Sequence, residues 1–551
     1  MQLKFSKGFF TIPDPSTDFR SLLAGVPTSR MDTSKITWRF TSTPESKKLL
    51  LLYWQNGLIQ PNEAARKELQ ETMDLPRLHA EVKQIKKEEK TSVEVPLKIE
   101  LFQHQKKAFS IGTTLAKVGL LMEQGTGKTL SSLAIAGYRY KKGEIKRLLI
   151  VAPKSTLKPW EEEILNYVDF PVEIINLVNT KGSKKSQILS KTTRTESLQI
   201  VLISYQSVWR VFEDLVKWKP GMIIADEMQK IKNGGAKQSK AMHKLGDLTK
   251  YKQGLTGTPV TQGPMDIWSE YRYLDSDVFG RSFSKFRGQY AIMGGFKGYQ
   301  IVKYQNLDEL SEKAHSISYR VRKEDTDIDL PPITNQYLYC EIERQTRKYY
   351  REMEKEFKVT LKENGGNAHA PIVLTQLLRL QQLVGGFIPT EEGEIVKVDN
   401  SKLALLQELV EDLPVDKKLV VFARFLPEID AMKEMLTKMG RGVVTLTGAT
   451  KDRGGAINIF TKDPTTTIMV AQIQTGGVGL NLQVADTIIF YSTNFSYGDY
   501  DQAKARIHRI GQKSKSVTYI HLVAENTVDE KIFRALEAKK DVATYIVDHP
   551  I

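Results

Sequence analysis

The sequence predicts an α/β chain organised around two parallel sheets, and three observations carry that expectation. From about Leu101 to Leu274 short apolar runs alternate with helix-like segments, and the alternation returns between about 335 and 551. One apolar run, VGLLM at Val118–Met122, opens into a glycine-rich turn followed by an apolar helix-like segment reaching Tyr138. The 551 residues are 40% hydrophobic and 26% charged, enough to bury several cores in roughly three or four domains.

Residues 1–80 form a small N-terminal accessory unit in this reading. LLAGVPTSRMDTSKITWRF suggests a strand-turn-strand, and TPESKKLLLLYW a helix capped near Thr43. The charged stretch KQIKKEEKTS marks 81–95 as a linker. Over 96–274 the runs VGLLM, RLLIVAP, IVLISY, MIIADE and GLTG are expected strands of a first lobe. Residues 275–335, rich in aromatic, glycine and basic residues, form an insert and inter-lobe connection. Within it Arg287, Lys297 and Lys303 interleave with Tyr290, Phe296, Tyr299 and Tyr304. This is either a glycine-turned hairpin packed on the first lobe, the reading preferred here, or a surface that stacks bases. The second lobe, 336–551, has expected strands in KLVVFARF, VVTLTG, TIMVAQ, DTIIFYS and VTYIHLV, with a helical insert and a closing helix. No internal repeat or low-complexity region is present.

Charge bounds the partners. Eighty Lys and Arg against 65 Asp and Glu give a formal +15, which favours a polyanion such as nucleic acid, unless the surplus lysine only keeps the surface soluble. Cys340 is the only cysteine, so an internal disulfide and a cysteine-rich zinc site are excluded, as suits a reducing compartment. No apolar run approaches the roughly 20 residues that span a bilayer, and the N-terminus lacks a signal-peptide layout. A soluble intracellular protein without membrane contact is expected.

The turn after Met122 carries the chemistry. Gly125, Thr126 and Gly127 let backbone N–H groups close around a triphosphate, and the helix N-terminus favours the anion. Lys128 can reach the β and γ phosphates, and the Thr129 hydroxyl suits Mg²⁺. Met122 stands where the usual GxxxxGK[ST] pattern has its first glycine. Downstream, MIIA ends in Asp226 and Glu227, two acids at the carboxyl end of an expected strand, where open α/β sheets bind ligands. Asp226 can hold Mg²⁺ and Glu227 can orient or deprotonate the attacking water. In GLTGTP, Thr256 and Thr258 can relay contacts between this site and a bound strand. In QAKARIHRIGQ, Arg506 and Arg509 are expected three apart on one helical face, where guanidinium groups can stabilise the charge of phosphoryl transfer.

This set, in order and spacing over roughly Leu101 to Val547, resembles the SWI/SNF-like branch of helicase superfamily two. The resemblance implies two RecA-like P-loop lobes with ATP and Mg²⁺ between them. LFQHQ resembles the adenine-reading element, with Gln105 as its glutamine. EQGTGKT, VAPKSTLKPWEEE, DEMQKIKN and GLTGTP resemble motifs I, Ia, II and III, and ISYQS carries the Tyr205 element. YRVRKEDTDIDLPP resembles the basic segment entering the second lobe, followed by SKLALLQEL, VVFARF (motif IV), TGGVGLNLQVAD (motif V), RIHRIGQ and a brace helix. It places Asn481 near the ribose and makes Arg506 and Arg509 arginine fingers. Two departures stand out. Gln229 replaces the histidine usual in motif II, and IIFYSTNFSYGDY lacks the acid and tryptophan common before motif VI.

The resemblance further implies that both lobes grip one strand by its phosphates. Lys154, Ser155 and Thr156, with Gly476 and Gly477, are the expected donors. The N-terminal unit faintly resembles the HARP module of annealing helicases, which recognise branched DNA. The functional expectation is a monomeric DNA-dependent ATPase, acting on duplex or branched DNA in remodelling, repair or protein displacement. A strand-separating or annealing helicase is the alternative, and a non-motor ATP-gated switch a third reading. A compact prokaryotic or viral motor in the cytoplasm is expected, nuclear if the source is eukaryotic.

Overall fold

The computed structural model describes residues 1–548 except 7, 14, 16, 34, 35, 179, 181, 192–195, 295–299, 328, 364–369, 391, 477–480 and 510. At the N-terminus a five-stranded sheet is built from β1 (Gln2–Ser6), β2 (Phe9–Pro13), β3 (Arg30–Asp32), β4 (Thr37–Thr41) and β5 (Gln60–Pro61), in the order β3-β4-β2-β1-β5. Alternation puts Leu3, Phe10, Ile12, Trp38 and Phe40 on one face, where they pack with Leu50, Tyr53 and Leu69 of the following helices. Thr43 caps helix Pro44–Gln55, its Oγ1 accepting from the Ser46 N–H at 3.2 Å.

The expected linker is half helical. Helix Glu63–Lys87 runs through the first part of 81–95. Leu78, Val82 and Ile85 lie at helical spacing and pack on the first-lobe core, while Lys83 and Lys87 are exposed and Lys86 turns in to bond His315 O.

The first lobe is a parallel sheet of β6 (Lys117–Met122), β7 (Arg147–Ala152), β8 (Val172–Asn176), β9 (Leu198–Ser204), β10 (Met222–Asp226), β11 (Tyr251–Leu255) and a later strand, β14 (Ser318–Val321). Its order is β14-β6-β11-β10-β7-β9-β8. Between β11 and β14 stands a hairpin of β12 (Ala291–Gly294) and β13 (Gln300–Tyr304), rooted on the rings of Phe279, Phe286 and Tyr290. Its connecting residues, including Phe296, Lys297 and Tyr299, lie outside the described residues. The basic segment at Tyr319 does not enter the second lobe directly, because Ser318–Val321 first pairs with β6 as the edge of the first sheet.

The second lobe begins at β15 (Ile333–Cys340). A small hairpin of β16 (Phe387–Pro389) and β17 (Ile395–Lys397) follows the helices Arg344–Glu363 and Ala370–Val384. Then come β18 (Leu419–Ala423), β19 (Gly442–Leu446), β20 (Thr466–Gln472), β21 (Thr487–Phe490) and β22 (Val517–Ala524). The parallel order is β15-β22-β21-β18-β20-β19. Separate clusters form its core, one around Phe422, Phe460 and Phe490 and the other around Val421, Met432 and Ile489. Helix Val528–Asp548 closes the chain on Leu380 and Leu383 of the helical insert. Among the described residues no helix is long and apolar enough to cross a membrane.

Candidate nucleotide site between the lobes

The glycine-rich turn leaves the end of β6 and enters helix Lys128–Lys141 without an intervening loop. Gly125 and Gly127 have φ of +88° and +84°, a region that disfavours side chains. A Cβ at 127 would also lie 1.8 Å from Gln105 Nε2. Gln105 donates to the Thr126 carbonyl at 3.2 Å and accepts from the Phe102 N–H at 3.0 Å, so its amide braces the turn from behind. Reading an adenine edge would draw on the hydrogen and lone pair that remain. His104 Nε2 lies 2.8 Å from the same carbonyl, and the Thr126 hydroxyl donates to Glu123 O at 2.7 Å. Lys128 folds over the turn, Nζ donating to Met122 O at 2.8 Å and Glu123 O at 3.2 Å. Burial lowers its pKa against the pull of Glu227 and Asp226. Thr129 follows, half-buried, as the helix's second residue.

Two strands away, β10 delivers the acids. Asp226 Oδ2 accepts from Trp160 Nε1 at 2.9 Å and Oδ1 from the Glu227 N–H at 3.0 Å. Burial first, and then the charge of Glu227, pushes the Asp226 pKa up to about 6. Glu227 has a left-handed backbone, φ +52°. Its Oε2 accepts from Gln229 Nε2 at 2.5 Å. The motif III turn packs alongside: Thr256 Oγ1 accepts from the Thr258 N–H at 3.0 Å, and a Cβ at Gly257 would lie 3.3 Å from Met122 O and from the Gln124 N–H nitrogen.

The second lobe supplies the remaining groups. Gln502 Nε2 donates to Glu227 Oε2 at 3.2 Å, and Arg506 Nη2 to Gln124 Oε1 at 2.7 Å. Arg509 stands over the turn, its Cβ 3.2 Å from where a Cβ on Gly125 would sit. Both arginines therefore meet the phosphate turn, but not from a helix. Helix Tyr497–Lys504 ends before them, because the Arg506 carbonyl accepts from the Leu482 N–H at 3.1 Å and its N–H takes the tighter bond to Ala503 O. Burial lowers the Arg506 pKa to about 10. Asn481 stands exposed outside this cluster, its Oδ1 accepting from the Gln483 N–H at 3.3 Å.

Comparison with known proteins fits this arrangement. Residues 68–385 match the SNF2-related domain and 401–511 the helicase conserved C-terminal domain. The chain belongs to the SNF2-related family. The two matched stretches take in the sheet of the first lobe and most of that of the second. It is 26% identical over 425 residues to a probable chromatin-remodeling complex ATPase chain of Oryza sativa subsp. japonica, covering 74% of this chain and 37% of that protein. It is 26% identical over 439 residues to a probable ATP-dependent DNA helicase of Arabidopsis thaliana, covering 77% and 39%. The chain thus spans about two fifths of the length of these relatives. Among solved structures, the Sulfolobus solfataricus SWI2/SNF2 ATPase core in complex with dsDNA is 25% identical, with a TM-score of 0.39, covering 83% of this chain and 95% of that one.

Further residues of this SNF2-related site carry weaker sequence signals. Arg320 of β14 bonds Glu123 Oε1 at 3.1 Å, Leu121 O at 3.2 Å and Gly257 O at 3.3 Å, tying the phosphate turn to motif III. Lys323 donates to the His508 carbonyl across the lobe boundary. Glu163, one helical turn beyond Trp160, has a pKa pushed up to about 7 by burial and by Asp226, against the pull of Arg509. Trp160 and Glu163 lie in the segment resembling motif Ia, and Gln502 opens the QAKARIHRIGQ run, so each was visible as a member of a quoted segment without a role. The expected DNA-side donors sit at carboxyl ends of strands. Lys154 is exposed after β7 with Ser155 and Thr156 half-buried beside it, Thr156 Oγ1 donating to Pro153 O at 3.0 Å. Gly476 ends a short helix after β20, and Gly477 lies outside the described residues.

The residues fit Mg²⁺ and a nucleoside triphosphate. The turn is a cradle that side chains would fill, and the buried acids face it with Glu163 Oε2 lacking any hydrogen-bond partner. Among the described residues no cluster of three or more His, Cys, Asp or Glu forms a metal cage. Mg²⁺ is commonly held by one or two carboxylates plus substrate phosphates and waters, so no cage is needed.

Proposed function

We propose that this chain is a DNA-dependent ATPase that steps along duplex DNA as its lobes close on ATP and open after hydrolysis. The observation that carries this reading is the pair of bonds crossing the lobe boundary, Gln502 to Glu227 and Arg506 to Gln124. Lys128 and the N–H groups of the turn bind the β and γ phosphates. Thr129 and Asp226 would hold Mg²⁺, which would supply charge neutralisation to the phosphates when bound. Glu227 orients the attacking water and takes its proton. Arg506 and Arg509 neutralise the spreading charge, and only with the lobes together. Hydrolysis therefore weakens the reason for the lobes to stay closed.

DNA as the partner is supported by the formal +15 charge and by the names of relatives such as the DNA helicase above. Phosphate contacts through Lys154 and the strand-end loops would hold the backbone without reading sequence. The deciding experiment compares ATP turnover with single-stranded, duplex, forked and RNA ligands. Stimulation by duplex DNA with displacement of a third strand, and no fork opening, supports the translocase. Fork opening supports a strand-separating or annealing helicase acting in repair, and turnover unmoved by any nucleic acid rejects the motor.

A further inference from the structure

The N-terminal sheet lies before the family match at 68–385, and the site between the lobes does not involve it. Its inner face is covered by helices, but its outer face is open. Strand register builds a single row across that face: Lys4 opposite Thr11, Thr11 opposite Arg39, and Arg39 opposite Arg30. Lys4, Arg39 and Arg30 are all exposed. Opposed residues of neighbouring antiparallel strands share a face with Cβ atoms about 5 Å apart, and like charges there are destabilising. Setting Arg30 against Arg39 therefore costs stability that burial does not return. The strands of this sheet contribute one carboxylate, Asp32, on the next rung. Arg39 is laid flat, its guanidinium carbon 3.5 Å from the Phe9 ring centroid. Thr11, Thr37 and Thr41 add hydroxyls on the same face.

We infer that this face binds the phosphodiester backbone of duplex DNA, as a second nucleic-acid site apart from the lobes. The row crosses three strand spacings, about 14 Å, a length along which one DNA strand presents roughly four phosphates. Point cations and hydroxyls on a flat open sheet suit backbone contact and not base reading. The module is also fixed to the first lobe. Lys47 Nζ bonds Glu68 Oε1 and Asp277 Oδ2, each at 2.8 Å, and Lys86 Nζ donates to His315 O at 2.9 Å. DNA held on the sheet stays in place relative to the first lobe while the second lobe moves. The binding itself is independent of ATP turnover; only its use in stepping rests on the function proposed above.

The test measures binding of labelled duplex DNA to the full chain across a salt series, for wild type, for Lys4→Ala/Arg30→Ala/Arg39→Ala, and for Arg30→Lys/Arg39→Lys. Loss of three phosphate contacts lowers the slope of log K against log salt by about 2.7. The expected result is that loss in the alanine variant, with a weaker affinity, a wild-type slope in the lysine variant, and DNA-free ATP turnover unchanged in both. An unchanged slope in the alanine variant overturns the proposal, as does a lysine variant that fails to keep the slope, or an alanine variant impaired only toward anionic vesicles or an acidic peptide. If wild type shows no DNA-stimulated turnover while the slope difference persists, the motor reading fails and this site stands.

Discussion

At Glu227 a left-handed backbone, φ +52°, turns the carboxylate away from the line of β10 toward the second lobe. Such a conformation costs a non-glycine residue about 1 kcal/mol or more, and two amides, from Gln229 and Gln502, then hold the same oxygen. Oε1 remains for a water. Glu227→Gln keeps the shape and removes the proton acceptor, so ATP should bind with near-normal affinity while single-turnover hydrolysis falls by roughly 10² or more; hydrolysis at the wild-type rate would remove Glu227 from its role. Gln229, in the place of the usual histidine, donates its Nε2 hydrogen to Glu227 Oε2. Its loss should therefore appear in kcat and not in KM. A hydrogen bond to a charged group is worth about 1.5 kcal/mol or more, so Gln229→Ala should lower kcat roughly ten-fold with KM for ATP unchanged. Equal changes in both constants would show that Gln229 shapes the pocket instead.

Elements differ in how plainly the chain announces them, and burial explains the difference. The central strands β6, β7, β9 and β10 are buried on both faces, so they appear as largely apolar runs ending at the functional turns; β11 is equally buried but reads YKQGL, so Lys252 and Gln253 hide all but its end, GL, from the sequence pattern. Edge strands lack that signal: β8 is only half-buried, β15 mostly exposed, and β14 sits inside a basic stretch. The phosphate turn and its acids were legible because local chemistry defines them. The helical placing of Arg506 and Arg509 was not, since the bond to Leu482 that ends their helix comes from a distant segment. Glu428 shows another tertiary effect. At the start of helix Leu426–Lys438 its Oε2 accepts from the Phe425 N–H at 3.1 Å and from Ser492 Oγ at 2.5 Å, while buried Oε1 has no partner. Burial pushes its pKa up to about 7 from 4.5. Between those values the unfolded chain ionises first, so the stabilisation present below pH 4.5 is lost as pH rises to 7, about 3 kcal/mol in all. Glu428→Gln keeps the acceptor and cannot ionise. Its second-lobe unfolding midpoint should rise relative to wild type on going from pH 5 to pH 8, measured by calorimetry; a constant offset would mean Glu428 ionises normally.

Across the whole molecule polar contacts help to join the three units, beside the apolar packing of Leu78, Val82 and Ile85 on the first lobe, and two of the polar joints make distinct predictions. Lys47 lies between Glu68 and Asp277, whose charges raise its pKa despite burial. Lys47→Ala leaves two carboxylates facing each other and should cost up to about 3 kcal/mol at this joint, exposing residues 88–95 to faster limited proteolysis while the lobes unfold as before. The lobe boundary is the joint that works during turnover. Arg506 already has a protein partner in Gln124, and Lys323 holds the His508 carbonyl, so closure does not depend on Arg509. Arg509 instead stands over Gly125, with Glu163 as its nearest opposing charge. Removing it should leave nucleotide affinity and lobe closure intact and remove charge stabilisation from the reacting phosphate, which in comparable enzymes is worth about 10³-fold or more. Arg509→Ala should therefore bind ATP normally, close its lobes as judged by energy transfer between labels on each, and hydrolyse at least about 100-fold more slowly with DNA present. Normal DNA-stimulated turnover in this variant would show that the guanidinium serves only to neutralise Glu163. Loss of closure would instead show that Arg509 helps to hold the lobes together.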